Sequence, residues 1–175
     1  VVMFAELAAY AMSEGRKITD LLDDLFREYG VHGERGKSLV MEGADGAARI
    51  KALSASYSSS PPEEVDGARV ARMRDFSVEE IYDEEGDLVP KAGMLMVELE
   101  DGRSFAVRPS GTEPKIKYYL FARDGAGAED LAASKQKVDA ALEALWTWLE
   151  ADAHARRRRS RGRPAAVAAL GVDAR

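Results

Sequence analysis

The chain has no cysteine among its 175 residues. That excludes a disulfide framework, thiolate metal sites and a cysteine nucleophile, and it fits a reducing, cytoplasmic setting. Histidine is almost as scarce. His32 and His154 stand far apart in the chain, with no serine or aspartate context for a triad, and read as a hinge residue and a tail residue. No apolar run is long enough to span a bilayer. The first residues carry Glu6 and no basic segment, so they do not read as a signal peptide. Neither the Walker pattern nor the dinucleotide fingerprint occurs. A membrane partner is therefore not expected.

Charge is plentiful and uneven. The formal net charge is −6. From His154 onward there are seven arginines and one acid, which leaves 18 bases and 30 acids before it. An acidic body of this kind is a poor nucleic-acid binder, so nucleic acid is not expected as a partner and any anion must be held by a local basic site.

The apolar pattern predicts helices first. Phe4, Leu7, Ala8 and Ala11 share one helical face over 1–12, and Leu21, Leu22, Leu25, Phe26 and Tyr29 share another. Two such helices cannot build a core alone, so residues 1–31 read as the end of a larger, incomplete α/β domain. The Gly-rich, polar segment 32–43 is expected to be a hinge. A third helix is expected over 44–57, stopped by Pro61-Pro62. The period then changes to two. Strands are expected over 68–76, over both arms of a hairpin at 94–107 turning on Asp101-Gly102, and over "KIKYYLFA". A last helix is expected over 128–150, with Leu131, Val138, Leu142, Leu145 and Leu149 along it. Trp146 and Trp148 fall on opposite sides of that helix, one core and one rim. The order predicts an α+β domain at 44–150, with a four-stranded antiparallel sheet and two helices on one face. Residues 151–175 are expected to be a basic, disordered tail.

"FAVRPSGTEPKIKYYLF", residues 105–121, is a strand interrupted by a turn of unusual composition. Arg108 offers a planar fork of donors matched to a phosphate or carboxylate. Ser110 and Thr112 add hydroxyls. Gly111 permits positive φ and close approach of an anion to backbone N–H groups. Pro109 and Pro114 stiffen both shoulders, so the donors are arranged before binding. Lys115 and Lys117 add positive charge. This is the chemistry of a phosphate clamp, though Pro, Ser and Gly also favour a turn with no ligand at all.

"RPSGTEPKIKYYL" resembles the C-terminal phosphate-binding loop of the α-D-phosphohexomutases, the phosphoglucomutase/phosphomannomutase family. "KSLVMEGADGAARI", "SSSPPEEVDG" and "MLMVELEDGRSFAV" agree, and most resemble the longer bacterial mutases of phosphoglucomutase/phosphopentomutase type. "FAELAAYAMSEGRKITDLLDDLFREYG" resembles the end of that family's third domain. The resemblance covers residues 1–150. It implies a fourth domain with a TATA-box-binding-protein-like fold, which closes the cleft over the non-reacting phosphate of a hexose or pentose phosphate. It places that role on Arg108, Ser110, Gly111 and Thr112, with Lys117 and Lys115 as less direct assignments. Family enzymes move the phosphoryl group through a phosphoserine, with Mg²⁺ and a sugar bisphosphate activator. No Thr-Ala-Ser-His-Asn-Pro-like nucleophile segment, Asp-Gly-Asp-Gly-Asp metal loop or Glu-Glu-Ser-Gly sugar loop occurs in this chain. The chain is thus expected to bind no metal or cofactor itself, to hold no catalytic residue, and to be inactive without the family's N-terminal domains.

Two other features have plain readings. The acids of "DEEGD", 83–87, lack EF-hand spacing and read as a solvated loop. "RRRRSRGR", 156–163, reads as a solvated tail; the other reading it supports is a different class of function, a free-standing phosphate-binding module with an Arg-rich segment for nucleic acid or a protein partner.

Overall fold

A computed structural model describes residues 1–127 and 130–161. In chain order the elements are α1 (Val2–Ser13), α2 (Ile18–Tyr29), β1 (Val31–Val40), α3 (Gly46–Ser59), β2 (Glu64–Val65), β3 (Ala68–Asp75), β4 (Leu95–Leu99), β5 (Ser104–Pro109), β6 (Lys115–Asp124) and α4 (Leu131–Arg161). The class is α+β, as expected. The strands form one antiparallel sheet in the order β1-β6-β5-β4-β3-β2. The sheet therefore has six strands rather than four. Helices α3 and α4 pack one face. Tyr118 of β6 shows this: its ring meets Tyr57 of α3 at 6.3 Å and Trp146 of α4 at 5.6 Å, both edge to face. Trp146 is buried in the core, and Trp148 packs against its edge. No helix among the described residues is long and apolar enough to cross a membrane.

Segment 32–43, expected as a hinge, is strand β1 as far as Val40, paired with β6 over its whole length. Its helix-facing positions are Val31, Gly33, Arg35, Lys37 and Leu39. Only two are large and apolar. Arg35 lies across α4 and pairs with Asp139 at 2.9 Å and Glu143 at 2.8 Å. The Lys37 ammonium sits 5.6 Å from the Trp146 ring. Long cationic side chains thus cover the helix with their stems, a solution suited to an edge strand and invisible to an apolar-alternation rule. Gly33 reads as a breaker but is a packing glycine. A Cβ there would lie 2.5 Å from Val138 Cγ1.

The second missed strand is β2, joined to β3 by Asp66-Gly67. Both turn residues have positive φ, 47° and 78°, as a two-residue hairpin of this twist requires. The β4–β5 turn is one residue longer than expected, because Leu99 N–H bonds to the Arg103 carbonyl and leaves residues 100–102 outside the ladder. In β3 a bulge between Val70 and Arg72 reverses the alternation. Met73 and Asp75 consequently share the helix-facing side with Val70, whereas strict alternation placed them opposite.

The tail expected from residue 151 is helical as far as Arg161. The described stretch has a structural cause. Arg156 donates from one guanidinium nitrogen to the carbonyls of Ser56 at 2.9 Å and Ser60 at 2.8 Å, at the C-terminal end of α3. Its Nε holds Asp152 at 2.6 Å, and its guanidinium lies 4.4 Å from the Tyr57 ring. The Ser60 carbonyl, just past the last turn of α3, thereby gains a partner, and the Ser56 carbonyl, which already accepts the Ser60 N–H at 3.0 Å, gains a second, from a cation placed where the helix dipole favours it. Arg156→Ala is expected to lower stability by about 2–3 kcal/mol, since charged hydrogen bonds are lost together with a stacked cation. Chemical denaturation measures this, and an unchanged midpoint would show that the contact is idle. The expectation of disorder for 162–175, and the start of the last helix at 128–129, lie outside the described residues.

Candidate functional site

The turn at 110–114 joins β5 to β6. Its base is fixed by three backbone bonds. Ser110 N–H donates to the Lys115 carbonyl at 2.9 Å, Lys115 N–H donates to the Glu113 carbonyl at 2.7 Å, and Met41 N–H donates to the Pro114 carbonyl at 2.8 Å. The last ties the turn to the segment entering α3. Gly46, the first residue of α3, is buried there. A Cβ at Gly46 would stand 1.9 Å from the Met41 carbonyl oxygen and 3.1 Å from Pro114 Cβ. The turn is thus buttressed by the start of a helix that only glycine allows so close.

The tip is chemically open. Arg108 is exposed, and its guanidinium has no hydrogen bond or ion pair among the described residues. The hydroxyls of Ser110 and Thr112 and the N–H groups of Gly111, Thr112 and Glu113 are likewise without protein partners. Gly111 does not use positive φ, contrary to the turn chemistry expected of it. What distinguishes it is access. A Cβ there would meet nothing within 4 Å, so the position borders open space.

The two lysines differ. Lys115 pairs with Glu113 at 2.6 Å, and that hydrogen bond, with the charges of Lys115 and Lys117, holds the Glu113 carboxyl below the usual carboxylate range. Lys115 therefore neutralises an acid that would otherwise oppose an anion at the tip. Lys117 has no ion pair among the described residues. Strand register puts it directly opposite Arg108 on one side and Ser38 of β1 on the other. All three lie on the sheet face opposite the helices, because Ile116 and Tyr118, their neighbours along β6, point into the core.

The helix side of the same turn borders a cleft of about 900 Å³ between the tip and α3. Its deep wall carries Asp75, 7% exposed, whose burial the sequence did not predict. Burial works against its ionised form. The Ser77 and Ser58 hydroxyls and the Ser77 N–H outweigh that and hold its carboxyl below the usual range. The sign follows. A depressed folded value means that the carboxylate stabilises the fold above about pH 4 and that this contribution is lost as pH falls through the folded value. Asp75→Asn is expected to cost about 1–2 kcal/mol at pH 7, and the gap from the unaltered protein is expected to close below pH 4 in acid-unfolding curves. A constant gap across that range would contradict it. Nearby, the hydroxyls of Tyr57 and Tyr118 face each other at 3.2 Å in the core. Burial pushes Tyr57 up and Tyr118 up to about 12, so both stay neutral near pH 7.

The remaining titratable groups do not converge on the turn. His32 approaches the Tyr29 carbonyl, and His154 lies against Arg157 on α4. Asp83, Glu85 and Asp87 place carboxylate oxygens within 4.8 Å of one another, all exposed. Asp83 accepts from the N–H groups of Glu85 and Asp87, which closes the loop on itself.

The family described as "Phosphoglucomutase/phosphomannomutase, C-terminal domain" matches residues 38–138. The phosphoglucomutase of Staphylococcus aureus (strain bovine RF122 / ET3-1) is 33% identical over 111 residues, covering 61% of this chain and 20% of the relative. That of Staphylococcus epidermidis (strain ATCC 35984) is 34% identical over 125 residues, covering 69% and 23%. The chain spans about a fifth of the length of these curated relatives. Among solved structures, the open form of pp63/parafusin, a phosphoglucomutase from Paramecium, aligns with 73% of this chain and 22% of its own, at 11% identity and a TM-score of 0.38.

Proposed function

The chain belongs to the phosphoglucomutase/phosphomannomutase C-terminal-domain family, and on that premise we propose that it is the C-terminal portion of a phospho-sugar mutase. Its role is to clamp the non-reacting phosphate of a hexose or pentose phosphate. The observation behind this is the turn itself. In an acidic chain, Arg108, Ser110, Thr112, Lys117 and three backbone N–H groups, at one stiffened turn and in the strands that flank it, have no protein partners among the described residues. Pre-arranged donors of this kind suit a phosphate dianion.

A clamp on a remote phosphate contributes by position. Binding energy from a group that does not react holds the reacting oxygen in place, and closure over it excludes water. Ser110 acts as a donor in this reading. Its hydroxyl has no histidine or carboxylate partner among the described residues to activate it. The donors at the tip do not suit Mg²⁺, which takes oxygen ligands from carboxylates, carbonyls and water. No step at this site runs through a metal. A sugar bisphosphate would engage the same clamp through either phosphate.

The proposal extends to the first two helices. α1 leaves Phe4, Leu7 and Tyr10 exposed, and α2 leaves Leu22 and Leu25 exposed. These faces suit the packing surface of a preceding domain, with the nucleophile, metal and sugar-reading parts outside this chain. The alternative module with an Arg-rich binding segment draws no support from Arg156, which is committed to α3.

Calorimetric titration of the chain with glucose 1-phosphate tests the clamp. Saturable binding is expected, displaced by inorganic phosphate, absent for glucose, and at least about 10-fold weaker in the Ser110→Ala, Thr112→Ala double variant. Equal binding of glucose, or no binding of either ligand, would overturn it.

A further inference from the structure

Resting on the clamp reading, we propose that Glu113 is an internal competitor for the clamp: its carboxylate occupies Lys115 in the free protein, and a bound phosphate takes that lysine over. The acid thereby sets how tightly the clamp grips and how readily it lets go. One residue of the turn carries two opposed signals. The Glu113 N–H is one of three at the tip with no protein partner among the described residues. Its side chain is an acid, paired with Lys115 at 2.6 Å. The hydrogen bond from Lys115, with the charges of Lys115 and Lys117, holds that carboxyl below the usual range, so it is fully ionised at neutral pH. A residue that offers its backbone to an anion thus also supplies one.

Three observations make this pair exchangeable. The first is placement. The Lys115 carbonyl accepts the Ser110 N–H at 2.9 Å, so Lys115 stands at the base of the turn. Buried Ile116 separates it from Lys117, and strand alternation puts both lysines on the open face, about 7 Å apart. Lys117 lies opposite Arg108. Of these three cations, Lys115 alone has an acid paired with it among the described residues, and that acid is Glu113. The second is exposure. The Lys115 side chain is 24% exposed and that of Glu113 57%. The lysine is held in place, while the acid can swing into water when it is displaced. The third is redundancy. The shape of the turn is already fixed by the backbone bonds of Ser110, Lys115 and Met41. An exposed ion pair between residues two apart adds little to that, so breaking it costs a ligand little. A phosphate dianion offers Lys115 more charge and more acceptor oxygens than one carboxylate does. As the phosphate settles, Lys115 changes partner and Glu113 is left beside the ligand as an unpaired like charge. The lost pair and the repulsion both weaken the grip. A clamp of donors alone would hold more tightly and release more slowly.

Titrations with inorganic phosphate decide the matter. Glu113→Gln is expected to bind it about 10-fold more tightly than the unaltered chain, and Lys115→Met about 10-fold less tightly. Thermal unfolding of Glu113→Gln without ligand is expected to be unchanged. Glu42→Gln is the control for net charge. Glu42 is exposed, in the segment entering α3, and has no ion pair among the described residues. Its replacement is expected to change affinity by less than about 2-fold. In the unaltered chain with labelled lysines, the Lys115 ammonium resonance is expected to shift as phosphate saturates. Unchanged or weaker binding in Glu113→Gln would overturn the proposal. An equal gain in Glu42→Gln, or a Lys115 resonance that stays fixed, would overturn it too. Failure of the clamp reading looks different, because inorganic phosphate would then bind neither the unaltered chain nor Glu113→Gln.

Discussion

Replacing Arg108 by alanine is expected to weaken phosphomonoester binding by about 100-fold, or about 2.7 kcal/mol, while the unliganded protein melts at an unchanged temperature. The size follows from removing a two-pronged, charge-assisted contact, whose hydrogen bonds are each worth about 1.5–3 kcal/mol. The unchanged melting follows from isolation: the guanidinium is exposed and has no partner to lose among the described residues. Arg108→Lys keeps the charge and loses the fork, so it should recover only part of the affinity, about one order of magnitude below the unaltered protein. Added salt should weaken the unaltered protein more than Arg108→Ala, because screening acts on the charge that the variant lacks. Calorimetry at two ionic strengths, beside thermal unfolding without ligand, checks both halves. Affinity within about 2-fold of the unaltered protein would mean that Arg108 is a surface residue of a turn and nothing more.

The second large effect is expected at Gly46, which touches no ligand. The methyl group of Gly46→Ala would collide with the Met41 carbonyl, which is backbone and cannot rotate away, and would press on Pro114. Relief requires moving the start of α3 away from the turn or stretching the Met41–Pro114 hydrogen bond. A cost of about 2–3 kcal/mol is expected from such overpacking. That corresponds to a fall in melting temperature of about 5–10 °C for a chain of this size. Phosphate affinity should fall as well, by several-fold, because the turn loses its buttress. Both changes together would establish that α3 positions the clamp. Loss of stability with full affinity would show that the turn holds its shape without that support.

How much was legible in the sequence depended on which physical signal each element uses. β4 and β6 alternate cleanly, with Leu95, Val97 and Leu99 in one and Ile116, Tyr118 and Leu120 in the other buried as expected. α4 repeats its apolar stripe at helical spacing and was equally readable as far as residue 150, though not in its continuation to Arg161. β1 was not, because Arg35 and Lys37 do the work of apolar residues by laying their stems across α4, and Gly33 looks like a breaker until Val138 is seen against it. The bulge in β3 shifts the phase by one residue through a backbone irregularity that no side-chain pattern announces. Arg156 was masked by its neighbours. In a run of arginines, nothing local distinguishes the one that caps a helix about a hundred residues earlier.

The candidate site shows the same division. The turn residues lie together in sequence, so Arg108, Ser110, Gly111 and Thr112 were found as a group. Lys115 and Lys117 looked alike, and the ion pair to Glu113 separates a neutralising lysine from one with no ion pair among the described residues. Ser38 joins that face through pairing of β1 with β6, about eighty residues away in sequence, and a missed strand hides its partners. Asp75 was hidden by the bulge that turns it toward α3.

The most direct test of the clamp is residue by residue. Amide and side-chain NMR resonances of the isotopically labelled chain would be followed during titration with inorganic phosphate. Saturable shifts are predicted at the amides of Gly111, Thr112 and Glu113 and at the Arg108 guanidinium, with the same affinity at each. Shifts confined to the arginines at 157–159, or scattered without saturation, would contradict a phosphate clamp at this turn.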